Sequence, residues 1–198
     1  SSAGDVNGDG IDDLIIGARG ASQGDDALDA GESYVVFGSS EDWSEALDLS
    51  DLNGTNGFQI NGIDTYDNSG YSVSSAGDVN GDGIDDIIIG AEYADQDNAT
   101  NAGESYVVFG SSEDWSEALD LSDLNGTNGF QINGIDTYDN SGYSVSSAGD
   151  VNGDGIDDLI IGAYGADPAD AEGAGESYVV FGSGTRSASE LDLSDLNG

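Results

Sequence analysis

A nine-residue segment, Asp5-Val6-Asn7-Gly8-Asp9-Gly10-Ile11-Asp12-Asp13, occurs three times in this chain. It returns at Asp78 to Asp86 and at Asp150 to Asp158, at spacings of 73 and 72 residues. Around it the repetition is nearly complete. Gly31 to Ala91 matches Gly103 to Ala163 over 61 positions with one difference, Ile87 against Leu159. A period of this kind calls for one structural unit stacked on copies of itself. The differences between units gather at Arg19–Ala30, Glu92–Ala102, Tyr164–Ala174 and around Gly184–Glu190. Those stretches read as loops, where changes of length and composition are tolerated.

Within a unit the apolar residues form short runs bounded by Gly, Asn and Asp, the pattern of strands and tight turns. The second copy predicts four strands, at about Tyr71–Ala76, Asp86–Ala91, Ser105–Phe109 and Phe130–Asn133. Asp86–Ala91 is a continuous apolar run, as expected of a strand covered on both faces. The linker 111–129 contains Trp115 and the alternation Leu119-Asp120-Leu121, which predicts a turn of helix or an extra strand packed on the sheet. Leu47-Asp48-Leu49 and Leu191-Asp192-Leu193 are its copies. A four-stranded antiparallel sheet cannot bury its own faces, and radial stacking of such sheets makes a β-propeller. The expected fold is therefore all-β, with blades of four antiparallel strands in three repeats of about 72 residues. The 198 residues read as one repeat domain divided at 1–69, 70–141 and 142–198. The first blade then starts inside an inner strand and the third lacks its outer strand. A ring of three blades is below the usual four to eight. The chain, which opens on Ser1, is expected to be a piece of something longer or to complete its ring by association.

The repeated segment carries the chemistry. Its side-chain oxygens fall at loop positions 1, 3, 5 and 9, with a backbone carbonyl at position 7. The candidate ligands are Asp5, Asn7, Asp9, Ile11 (carbonyl) and Asp13; then Asp78, Asn80, Asp82, Ile84 and Asp86; then Asp150, Asn152, Asp154, Ile156 and Asp158. Glycine at position 6 permits the sharp turn that gathers them. An all-oxygen set suits Ca²⁺, about one ion per repeat, rather than zinc or copper, and suits it better than Mg²⁺. Two carboxylates ~4 Å apart repel by about 4 kcal/mol at an effective dielectric near 20, so a loop with three of them requires a cation. An EF-hand or a dockerin-type loop needs an acid at position 12. That position is isoleucine in all three copies, inside a predicted strand rather than a helix. The position-8 residues Asp12, Asp85 and Asp157 are read as solvated side chains.

The net charge narrows the partners. With 41 acidic residues against two basic ones, Arg19 and Arg186, the formal charge is −39. Nothing here could neutralise nucleic-acid phosphates, and no apolar run approaches the ~20 residues of a membrane helix. The chain has no His, Cys or Lys, which removes the common nucleophile–base pairs and thiolate metal sites. An enzyme is not expected; a carbohydrate-active enzyme using paired carboxylates is the one catalytic alternative. The unbalanced charge suits a salty or calcium-rich exterior, hence an extracellular or cell-surface location. A further alternative is a self-assembling filament subunit, a homo-oligomer joined through the open strand edge of the third unit. Trp43 and Trp115 are read as packing the linkers rather than as sugar platforms, and Tyr66 and Tyr138 as packed in their turns. Asn53-Gly54-Thr55, Asn98-Ala99-Thr100 and Asn125-Gly126-Thr127 match the N-glycosylation pattern.

Two flanking segments extend the pattern. Ser69-Gly70-Tyr71-Ser72-Val73 precedes the second loop, and Asp86-Ile87-Ile88-Ile89-Gly90-Ala91 follows it. Together with the loop they resemble the FG-GAP repeats of integrin α-subunit β-propellers and of many bacterial surface proteins. Glu92 stands where that pattern has Pro, as do Arg19 and Tyr164 in the other copies. The resemblance implies a propeller whose calcium loops join the two inner strands of each blade and brace it. It also implies a structural or adhesive role, with a protein or glycan partner bound on the opposite rim.

Overall fold

The structure, a computed structural model, describes residues 1–24, 27–41, 46–96, 99–168, 171 and 173–196. Thirteen strands and three short 3-10 turns make up its regular structure among these residues. In chain order the strands are β1 (Ser2–Gly4), β2 (Asp13–Ala18), β3 (Glu32–Val36), β4 (Gly57–Asn61), β5 (Ser72–Gly77), β6 (Asp86–Ala91) and β7 (Glu104–Val108). They continue with β8 (Ala118–Asp120), β9 (Gly129–Asn133), β10 (Ser141–Gly149), β11 (Asp158–Ala163), β12 (Glu176–Val180) and β13 (Glu190–Asp192). The second predicted strand of the middle unit is recovered at the same bounds; the other three move by one residue or so.

The strands form three sheets, in the orders β1-β2-β3-β4-β8, β5-β6-β7-β9-β13 and β10-β11-β12. The first four strands of each five-stranded sheet are antiparallel neighbours. The fifth was not expected as a member of the preceding blade. Ala118–Asp120 lies parallel to β4, with Ile60 opposite Leu119, and Glu190–Asp192 lies parallel to β9 in the same register. Asn61 Nδ2 donates to Asp120 at 2.6 Å and Asn133 Nδ2 to Asp192 at 2.8 Å, tying the added strands down. A 3-10 turn follows each, at Leu121–Asp123 and Leu193–Asp195, and buries its leucine. The Leu-Asp-Leu segments therefore do pack on a blade, as extra strand and turn of helix in succession. Each packs on the blade before its own. Leu47 of the first segment is exposed, because no blade precedes it among the described residues.

The sheets stack face to face in an open, incomplete ring of the β-propeller type, and the core is the material between them. One cluster joins Ile15, Val35 and Phe58 of the first sheet to Ile87, Ile89 and Tyr106 of the second. The other joins Ile88, Val107 and Phe130 to Leu159, Ile161 and Val180 of the third. β6 thus sends alternate side chains in opposite directions, as strand geometry requires, and all six of its residues are buried. Each Ile or Phe so covered contributes about 1.5–3 kcal/mol. Trp115 stacks on Phe58 with ring centroids 4.1 Å apart, so it packs its linker, as expected from the sequence. Over Phe130, the counterpart of Phe58, Arg186 takes that place at 4.8 Å. Trp43 and Asn98 lie outside the described residues.

Candidate metal centre

Each acidic loop joins the two inner strands of a sheet: β1 to β2, β5 to β6, and β10 to β11. Three copies of the sequence give one geometry. In the first loop Asp5 accepts the Asp9 N–H at 3.0 Å and the Gly10 N–H at 2.8 Å. Asn7 Oδ1 accepts Asp9 N–H at 2.8 Å, and Asp9 Oδ1 accepts Ile11 N–H at 2.8 Å. The same bonds recur from Asp78, Asn80 and Asp82 and from Asp150, Asn152 and Asp154. Gly10 turns through φ 87°, Gly83 through 91° and Gly155 through 89°, a left-handed backbone that only glycine adopts without strain.

The position-9 carboxylates sit below the loops, where the inner strand begins. Asp13, Asp86 and Asp158 are almost fully buried. Each bridges two backbone N–H groups: Asp13 those of Val6 and Gly38, Asp86 those of Val79 and Gly110, Asp158 those of Val151 and Gly182. Burial pushes the Asp86 carboxyl up to about 8, against the pull of its two N–H donors and with the charges of Asp82 and Asp78 adding to it. Asp13 is raised for the same reasons, burial first. A carboxylate in this setting is stabilised by an opposite charge nearby.

The donors present are the hard oxygens that calcium takes. The position-7 carbonyls of Ile11, Ile84 and Ile156 accept no hydrogen bond among the described residues. Among those residues, no group of three acidic side chains is arranged to hold a metal ion. The carboxylate oxygens are turned instead to the backbone N–H groups named above.

The position-8 residues correct the sequence reading. Asp85 Oδ2 accepts the N–H of Asp5 at 2.9 Å, and Asp157 Oδ2 that of Asp78 at 3.1 Å. Their own N–H groups return bonds to the Asp5 and Asp78 carbonyls. These aspartates are staples from each loop to the loop of the preceding blade, not solvated side chains. Asp12, which has no preceding loop among the described residues, is exposed as expected. Tyr66 and Tyr138 are also corrected. They are 58% and 61% exposed, at φ 74° and 67°, in turns that carry the rings outward. Asn53 and Asn125 are exposed, each bonded by the hydroxyl of its threonine.

A second acidic group, not foreseen from the sequence, occupies the opposite rim. Glu104 starts β7 opposite Ala91, the end of β6 remote from the loop. The Tyr106 hydroxyl donates to it. Burial, with the charges of Asp64, Glu190 and Asp95, brings Glu104 to about 7. Asp67 also reaches about 7, through burial and the charge of Glu104. The sequence signal was Glu-Ser-Tyr, repeated at Glu32, Glu104 and Glu176. Residues i and i+2 of a strand share a face, and each pair is hydrogen-bonded.

Comparison with known proteins agrees with this architecture. The family model described as FG-GAP repeat matches residues 1–36, 69–108 and 141–180. The phosphatidylinositol-glycan-specific phospholipase D of Bos taurus is 32% identical over 159 residues, covering 80% of this chain and 17% of that protein. Integrin alpha pat-2 of Caenorhabditis elegans is 31% identical over 174 residues, 81% of this chain and 12% of the integrin. Integrin alpha-IIb of Mus musculus is 31% identical over 169 residues, with 82% and 14% covered. The chain thus spans less than a fifth of the length of these relatives, one named as an enzyme and two as integrins. No helix among the described residues is long and apolar enough to cross a membrane. Three in-phase matches, each spanning an acidic loop and the strands on either side of it, make this chain a member of the FG-GAP repeat family, with an integrin-like β-propeller domain.

Proposed function

We propose that the chain is a non-catalytic, calcium-stabilised propeller module of a secreted or cell-surface protein, with a structural or adhesive role. The observation that carries the reading is the threefold recurrence of one oxygen-rich loop geometry between inner strands. In each loop the residues at positions 1, 3, 5 and 9 and the position-7 carbonyl would hold one Ca²⁺. Its charge would offset carboxylates that otherwise repel one another across a few ångströms. The stapling aspartates connect each loop to the next blade, so ordering a loop also orders the stack. The matched integrins support an adhesive role at a cell surface, with a protein or glycan as partner. Residues 1–198 make up one repeat domain of three blades.

Calorimetric titration of calcium into the chelator-stripped chain tests the metal assignment. Three ions per chain are expected, and two after Asp82→Ala. No uptake at millimolar calcium would overturn it.

A further inference from the structure

Two routes of hydrogen bonds run from the second loop into the first, and the same two run from the third into the second. The first route starts between two candidate ligands. Asp85 is flanked by Ile84 and Asp86, positions 7 and 9 of its own loop. Its Oδ2 accepts the Asp5 N–H at 2.9 Å, and its own N–H donates to the Asp5 carbonyl at 3.2 Å. Asp5 is position 1 of the first loop. One blade on, Asp157 lies between Ile156 and Asp158 and holds the N–H and the carbonyl of Asp78 at 3.1 Å each. The second route starts at position 9. Asp86 Oδ1 accepts the Gly110 N–H at 2.9 Å, and the next N–H, that of Ser111, donates to the Val6 carbonyl of the first loop at 2.9 Å. Asp158, Gly182, Ser183 and Val79 repeat both bonds at 2.9 Å.

Packing leaves these contacts little slack. A Cβ built on Gly4 would fall 2.3 Å from Asp85 Oδ2, and one on Gly77 2.1 Å from Asp157 Oδ2. The stapling carboxylate therefore fills the space over a glycine at both boundaries. Ile84 Cδ1 would lie 3.5 Å from a Cβ on Gly8, and Ile156 Cδ1 3.4 Å from one on Gly81. The position-7 side chain thus covers the preceding loop, while its carbonyl is a candidate ligand of its own. A staple whose neighbours on both sides are fixed has little freedom left. An ordered loop then holds the backbone of position 1 in the loop before it. Ordering a loop costs conformational entropy, and that cost is smaller where a neighbour has already imposed the order.

We propose that Asp85 and Asp157 are positioning residues that couple the calcium sites, so that filling one loop raises the affinity of the loop before it. This coupling rests on the calcium assignment above and turns three separate sites into one linked series. The effect is mutual, since linkage requires each site to change the other's affinity by the same factor. Charge acts the other way: filling one loop removes negative charge that attracts the next ion. Salt of ~0.15 M screens that repulsion beyond ~8 Å, whereas the hydrogen bonds act at contact.

Asp154→Ala isolates the first boundary, because only the first two loops can then fill. Calorimetric titration of calcium into that chelator-stripped chain, in ~0.15 M salt, should show two ions taken up with a Hill coefficient above one and a coupling of about fivefold or more. With Asp85→Ala added, two ions should still bind, but the Hill coefficient should fall to one or below. Asp85→Asn keeps an acceptor oxygen for the Asp5 N–H and should retain the coupling. Circular dichroism in calcium should be the same for all three chains. A purely structural role for Asp85 would lower the melting temperature and leave the Hill coefficient unchanged. Two ions binding independently to Asp154→Ala, or a Hill coefficient that Asp85→Ala does not move, would overturn the coupling alone. No uptake of calcium would overturn the assignment beneath it as well.

Discussion

The hexapeptide Asp-Leu-Ile-Ile-Gly-Ala occurs as β2 in the first blade and as β11 in the third, letter for letter. In β2 the central Ile15 is buried while Leu14 and Ile16 are exposed; in β11 Leu159 and Ile161 are buried while Ile160 is exposed. Between them, β6 differs by one methyl position and is buried throughout. Local sequence sets the strand and its alternation. Which face is covered depends on where the neighbouring blade stands. For Leu14, Ile16 and Ile160 exposure follows position in the stack, since their equivalents in β6 are buried.

Ile88→Ala should destabilise the chain by about 2–5 kcal/mol, the cost of a cavity in a packed core. Ile160→Ala, the same substitution at the same register, should fall within about 0.5 kcal/mol in the single chain. Urea denaturation of both variants measures the difference, and equal losses would refute the assignment of faces.

The opposite rim makes stability depend on pH. Glu104 and Asp67 lie at the boundary of the first two blades, and both titrate near 7 in the folded chain. Their ordinary values are 4.5 and 3.8, so the native state holds these protons more tightly than the unfolded state does. Their contribution is full below about pH 4 and is lost as pH rises through about 7. Melting temperature at fixed metal concentration should accordingly fall between pH 5 and 8, by an amount worth on the order of a few kcal/mol. Glu104→Gln with Asp67→Asn should flatten the profile; an unchanged slope would remove the attribution.

A smaller effect separates the staples. Asp85→Ala removes an acceptor from the Asp5 N–H and should cost about 1–3 kcal/mol. Asp12→Ala, at the uncovered end, should cost almost nothing in the single chain. Thermal melts of the two variants side by side test the claim.

Much of this architecture was legible because the repeat displays its own punctuation. Glycines and acids bound each strand, and the run at Asp86–Ala91 is uninterrupted. The parts that were not legible all involve a neighbour. The parallel pairing of Ala118–Asp120 joins residues 59 positions apart, Asn61 with Asp120. The Asp85 staple reaches back 80 residues. In the sequence Asp85 and Asp86 are an undistinguished doublet, since duplication repeats both equally. Their roles part only when blades stack. Asp86 then faces its own loop and outer turn, and Asp85 the preceding loop. The rings of Tyr66 and Tyr138 read as packed rather than exposed because a positive φ at a tyrosine has no local sequence mark.

The dependence of the whole stack on a divalent cation is most directly measured by thermal melting in calcium and in excess EDTA, at one pH and ionic strength. The melting temperature should be far lower in EDTA and restored by adding back calcium. Superimposable melts in the two buffers would contradict it.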